Sequence, residues 1–234
     1  ILVTKKENVL KEIQLFEKIQ PKYVRGICKI GIPTALQGMA YCMISMVLTR
    51  MVSGFGAEAI ATQRVGGQIE SVSWNTADGF GAALNAFIGQ NYGAGKMDRV
   101  KKGYRASLIT VGVWGLFITL LFVCFPEQIS GVFFHEPTAI ATAVGYMIII
   151  GYSEAFMSVE LMTVGALSGL GKTHLCSVIS ITLTSARIPL AILLSGTALG
   201  LLGIWWALTA TSVVKGIVFV MAFYWITARM RNSK

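Results

Sequence analysis

The chain has 234 residues, of which 54% are hydrophobic and 13% charged, and it carries a formal net charge of +9 at pH 7. A soluble domain has roughly 25% charged residues, so this balance excludes an ordinary soluble fold and points to the bilayer. The basic residues sit in short clusters between long uncharged runs rather than over one face, which argues against nucleic acid as a partner.

The opening, "TKKENVLKEIQLFEKIQPKYVR", places Val9, Leu10, Ile13, Phe16 and Ile19 at helical spacing among lysines and glutamates. Residues 1–25 are therefore expected to form an amphipathic connector along the cytoplasmic membrane surface. No basic n-region with a cleavable apolar core precedes this segment, and the chain reads as a fragment that begins inside a larger protein.

A helix needs ~20 mostly apolar residues to cross ~30 Å of hydrocarbon at 1.5 Å rise per residue. Six segments pass that test, at about 26–51, 59–89, 103–125, 138–170, 173–195 and 201–227, within residues 26–228, and no alternating strand pattern lies between them. The fold class expected is an all-α membrane protein. Pro33 in the first span and Pro189 in the fifth are expected kink sites. Gly89 with Gly93, and Gly165 with Gly169, have the small-xxx-small spacing of closely packed helices.

Charge orients the spans, because cytoplasmic loops collect lysine and arginine. Basic residues gather in the opening, in the loop after the second span (Lys96, Arg99, Lys101, Lys102, Arg105), at Lys172, and in the tail 229–234 with Arg229, Arg231 and Lys234. The other side has "SGFGAE", "PEQISGVFFHEPT" and "SGTALG", with Glu58, Glu127 and Glu136. Both ends of the chain are then expected to be cytoplasmic, and the protein to be a multi-pass component of the inner membrane.

The second span carries Gln63, Arg64, Gln68, Glu70, Asn75 and Asp78, and intramembrane charges are costly enough that each needs a partner, water or a task. Gln63 and Glu70 nearly superimpose on the helix, and Arg64 and Asp78 share a face. Arg64 either pairs with Glu70 or Asp78 to hold helices together, or one acid exchanges protons or binds a cation as a cavity opens alternately to each side. Glu154 and Glu160 raise the same choice in the fourth span. Six residues apart, they point in different directions, and Arg187 or Lys215 could neutralise one of them. Trp74, Trp205 and Trp206 are expected as interface anchors or packing residues.

"ALSGLGKT" at 166–173 fits the loose form of a phosphate-binding loop, but no buried strand precedes it, so Lys172 is read as a topology signal. The four cysteines form no C-x-x-C pair, and His135 and His174 have no partner at ligand spacing. No metal site, no cofactor and no enzymatic activity are expected.

The stretch "GAEAIATQRVGGQIESVSWNTADGFGAALNAFIGQNYGAGK", and above all the Gly-Gln-Asn-x-Gly-Ala at 89–94, resembles the multidrug and toxic compound extrusion (MATE) transporters. "GALSGLGKT", "ARIPLA" at 186–191 and "LGLLGIWWA" at 199–207 resemble the later helices of the same six-helix half, so the likeness covers nearly all of residues 22–229. The order of motifs resembles the C-terminal half, and "QIES" with "TADGF" is similar to a DinF-like branch.

The resemblance implies one lobe of a two-lobe transporter, whose other wall comes from an N-terminal six-helix lobe or from a second half-size chain. It implies cation-coupled antiport, with H+ or Na+ as coupling ion, of small amphiphilic organic compounds, with membrane lipid around it. A lipid-linked precursor flippase is the alternative within the same superfamily. The cavity and coupling candidates are Gln37, Tyr41, Gln63, Arg64, Glu70, Asp78, Glu154, Glu160 and Arg187. Gln37 stands nearest to the position where family members commonly carry a first-helix acid, and Glu160 lies in the region of their fourth-helix acid.

Overall fold

The structure, a computed structural model, describes residues 21–232. Residues 1–20, which hold most of the expected amphipathic connector, and residues 233–234 of the basic tail lie outside the described residues. Among the described residues there are eight helices and no strand: α1 (Pro21–Ser53), α2 (Ala57–Gly93), α3 (Met97–Cys124), α4 (Pro126–Phe133), α5 (Pro137–Gly169), α6 (Thr173–Ser185), α7 (Arg187–Ser195) and α8 (Leu201–Asn232).

Five of the six expected spans are long and apolar enough to cross a membrane, with α6 and α7 together making one of them. The sixth, α2, has 37 residues, about 55 Å at 1.5 Å per residue, but its polar and charged residues keep it from passing on hydropathy. Its packing shows its role. Gly66 abuts Tyr146, Gly81 abuts Leu161 and Met162, and Gly169 abuts Asn85 and Ile88, so α2 runs parallel to α5 over most of its length. A helix that shares the depth of an apolar span can carry charge only where protein or a water-filled cavity, not lipid, faces it.

The α2–α5 seam explains the small residues. A methyl group at Gly169 would fall 2.6 Å from the Asn85 carbonyl oxygen, and one at Gly165 would enter the backbone of Gly81. The expected close approach at Gly165 and Gly169 is therefore real. Of the other pair, Gly89 faces the Gly169 carbonyl whereas Gly93 has open space around it.

The two prolines behave differently. α1 runs unbroken through Pro33, whose carbonyl accepts a hydrogen bond from Ser177 Oγ at 2.8 Å. The fifth span divides at Ala186, three residues before Pro189, because a proline nitrogen has no hydrogen for the Ser185 carbonyl and its ring crowds the preceding turn. The expected loop "PEQISGVFFHEPT" contains α4, with Pro126 in its first turn.

The basic segments meet at one end of the bundle. Tyr104 near the start of α3 stacks on Phe223 near the end of α8, with ring centroids 3.6 Å apart, and Gly103 abuts Phe87 of α2. At the other end Thr138 donates to Glu58 Oε1 at 3.3 Å, and Glu127 and Glu136 lie nearby in sequence. Arg50, in the last turn of α1, is a basic residue at this otherwise acidic end.

"ALSGLGKT" is a helix terminus. Gly171 adopts φ +72°, a left-handed conformation that glycine reaches without a Cβ clash. The Lys172 amide turns back to the Leu167 carbonyl at 2.9 Å. Gly95 and Lys96 repeat this turn after α2, with φ +72° and a 2.8 Å bond from the Lys96 amide to the Asn91 carbonyl. Amides folded onto their own helix cannot cradle phosphate.

Candidate functional site

Beneath these contacts, α2, α5, α7 and α8 bring polar side chains together midway along the bundle. α5 is the central element. It packs on α2, α3 and α8, and 15 of its 33 residues are buried. Tyr146 and Glu154 sit eight residues apart on it, hence about two turns apart on one face.

The Tyr146 hydroxyl donates to Glu70 Oε1 on α2, and its ring meets the fully buried Trp205 of α8 edge-on, with centroids 5.0 Å apart. Trp205 is thus a core residue. Trp206 is partly exposed and stacks on Tyr152, and Trp74 is likewise exposed.

Glu154 is 1% exposed and has no cationic partner, and the Ser73 hydroxyl of α2 approaches its carboxylate. That carboxylate lies within electrostatic range of Glu70, as does Arg187. The Ser73 hydroxyl is itself buried, as is that of Ser158 on α5. The two carboxylates with the Ser73 hydroxyl offer oxygen donors, which suits a proton or a hard monovalent cation. Among the described residues no three His, Cys, Asp or Glu side chains converge as a metal-ligand group.

Arg187 opens α7 at the break in the fifth span. Its Nε donates to Thr211 Oγ1 at 2.9 Å and its Nη2 to Ser212 Oγ at 2.8 Å, both on α8. It is nearly buried and has no carboxylate in direct contact. Further along α8, Lys215 Nζ meets Glu160 Oε1 at 2.7 Å, both side chains being 7% exposed. Of the two basic partners open to the α5 acids, Lys215 is the one that forms a contact. Glu160 and Glu154 do face different ways.

Several candidates fall elsewhere. Arg64 pairs with neither Glu70 nor Asp78: Lys215–Glu160 is the ion pair among the described residues, and Arg64 and Asp78 are exposed on the face of α2 turned away from α5. The helix period that put Gln63 with Glu70 and Arg64 with Asp78 holds, with the first pair inward and the second outward. Gln63 has its Oε1 buried and unpartnered. Gln37 ties α1 to α6, its Nε2 donating to Ser180 Oγ at 3.2 Å, and Tyr41, one turn on, lies within electrostatic range of Tyr146.

The residues missed in sequence are Tyr146, Ser73, Thr211 and Ser212. Tyr146 and Ser73 carried a signal, since each repeats the helical spacing of an acid, Tyr146 that of Glu154 and Ser73 that of Glu70. Thr211 and Ser212 carried none, because hydroxyls are ordinary in membrane helices.

The MatE family model matches residues 33–193. The chain is 27% identical to the "Probable multidrug resistance protein NorM" of Thermotoga maritima, with 88% of this chain and 45% of that protein aligned. It is 29% identical to the protein of the same description from Pseudomonas aeruginosa, over 90% and 45% of the two. The crystal structure of MATE in the straight conformation superposes with a TM-score of 0.85 at 17% identity, covering 94% of this chain and 50% of that one. The chain thus spans about half the length of the relatives it matches. With the helical bundle, the membrane-length spans and the family match in hand, the chain belongs to the MatE family of multi-pass membrane transporters.

Proposed function

We propose that this chain is the C-terminal half of a cation-coupled antiporter that exports small amphiphilic organic compounds, with H+ or Na+ as the coupling ion. The observation that carries this reading is Glu154, a carboxylate buried mid-span with no cationic side chain paired to it. A bare ion there is costly unless something binds it, and Glu70 on the neighbouring helix lies within electrostatic range.

The cycle then follows. A cation or proton neutralises the Glu70–Glu154 pair in one orientation of the lobe. Its departure restores charge that favours a cationic amphiphile, and the lobe rocks against its partner to open the other side. The partner is an N-terminal six-helix lobe or a second half-size chain, and the basic end of the bundle faces the cytoplasm of the inner membrane by the positive-inside rule.

The flippase alternative calls for a cationic cavity. Arg64 is turned away from the network and Lys215 is neutralised by Glu160, which leaves Arg187 within electrostatic range of Glu70. That balance favours export of cations.

The test is export of a cationic dye from cells or proteoliposomes containing the transporter with both lobes. Export should stop when the ion gradient is collapsed and in Glu154→Gln. Export that persists without a gradient would refute coupling, and wild-type export by both Glu154→Gln and Glu70→Gln would move coupling out of this half.

A further inference from the structure

The basic end of the bundle contains a site that the transport network does not use. Between α3 and α8 lies a recess of about 160 Å³, lined by Lys101 and Arg105 of α3 and by Phe223, Tyr224, Thr227 and Ala228 of α8. Lys101 also borders a second recess with Lys96, Arg99 and the acidic Asp98. Beside it the Arg229 guanidinium lies 5.4 Å from the centroid of the Trp225 ring.

Lys101 and Arg105 are one helical turn apart, so both cations project to the same side of α3. The Tyr104–Phe223 stack holds α3 against α8 directly behind them. The recess thus has a buried floor at Phe223 and Thr227 beneath the more exposed Lys101, Arg105 and Tyr224. Amphipathic Tyr224 and Trp225 at its edge are residues that settle at the depth of lipid headgroups.

Two exposed apolar stripes lead from the recess along the bundle. On α3, Ile109, Val113, Leu116 and Leu120 continue the line of Arg105 at helical spacing and are 57–68% exposed. On α8, Met221, Ile217 and Val214 continue the line of Tyr224 and are 46–64% exposed. Phe156 of α5 abuts Gly216 of α8, and Ala155 beside it abuts Gly115 of α3, so α5 floors the groove between the stripes. This face is distinct from the network side of α8, where Thr211, Ser212 and Lys215 point inward.

We propose that this recess holds the headgroup phosphate of an anionic phospholipid, with Lys101 and Arg105 as its cationic ligands and the α3–α8 groove as the bed for its acyl chains. A soluble phosphate would need only the cations. The continuous apolar groove below them is what selects a lipid, since basic pockets between membrane helices recognise anionic headgroups.

The test is native mass spectrometry of the full chain in neutral detergent, titrated with phosphatidylglycerol or phosphatidylcholine of identical chains. Phosphatidylglycerol should be retained preferentially. The double substitution Lys101→Gln with Arg105→Gln should weaken it about thirty-fold, from about 1 kcal/mol per basic residue near the surface, while Lys172→Gln leaves it unchanged. Equal loss in Lys172→Gln would mean general attraction to the basic end and would overturn the site. So would equal retention of phosphatidylcholine, or displacement of phosphatidylglycerol by inorganic phosphate at the same concentration.

Should the double variant fail to fold, the wild-type chain in vesicles decides. Brominated phosphatidylglycerol should quench tryptophan emission more than brominated phosphatidylcholine, and Trp225→Phe should remove that difference. Equal quenching by the two lipids would refute the proposal.

Discussion

Glu154 and Glu160 stand six residues apart on the same helix, are buried to nearly the same degree, and have opposite surroundings. Glu160 meets Lys215 at 2.7 Å, whereas Glu154 has no cationic partner and is approached by the Ser73 hydroxyl. The cause is their direction from α5. Glu160 turns toward α8 at the level of Lys215, and Glu154 lies within electrostatic range of the Glu70 carboxylate of α2. A buried charge with a fixed counter-ion is a structural element whose partner cannot leave without a penalty. A buried charge facing another acid is free to take up and release a mobile cation, which is what coupling requires.

The largest expected effect comes from breaking the paired acid. Lys215→Met should lower the stability of the full chain by about 3–5 kcal/mol, because Glu160 is left buried and uncompensated. The loss is read as a drop in thermal unfolding temperature in detergent. Adding Glu160→Met should recover most of it, and no recovery would show that the pair is not an isolated unit.

Arg187→Met should cost about 1–3 kcal/mol, through loss of charged hydrogen bonds to Thr211 and Ser212. It should also impair dye export, since it removes the cation within range of Glu70. A stability loss with export intact would assign Arg187 to α7–α8 packing alone.

Smaller again is Tyr146→Phe, which should cost about 1 kcal/mol by removing the hydroxyl that Glu70 accepts. Its informative readout is the dependence of export on coupling-ion concentration, which should shift while maximal export survives.

The smallest change in stability is expected for Glu154→Gln. It should be no more than about 1 kcal/mol and in the stabilising direction, because a buried unpaired charge becomes neutral. Export should nevertheless be lost. Marked destabilisation of this variant would place Glu154 with Glu160 as a structural group and dissolve the contrast.

How much of this was legible in the sequence differs by feature. The six membrane-length segments were, because the hydrocarbon thickness sets a length that composition must match. So were the two faces of α2, since a helix of 3.6 residues per turn places Gln63 with Glu70 and Arg64 with Asp78 wherever it packs. The division of the fifth span was visible only as Pro189, and the break itself falls at Ala186 because the unmatched carbonyl lies one turn earlier. The short helix α4 was not legible, because eight residues between spans give too little periodicity to recognise.

Sequence by itself determined that the chain is a bundle of membrane helices with one basic end, because hydropathy and charge act locally and add along the chain. It also named the acids and cations available for function. Tertiary structure alone decided which of them meet. Periodicity gives each side chain a direction on its own helix and says nothing about the neighbour it faces. The parallel α2–α5 seam, allowed by Gly81, Gly165 and Gly169, brought Glu70 to Tyr146 and toward Glu154. The packing of α8 on α5 gave Lys215 to Glu160 and left Glu154 without a counter-ion.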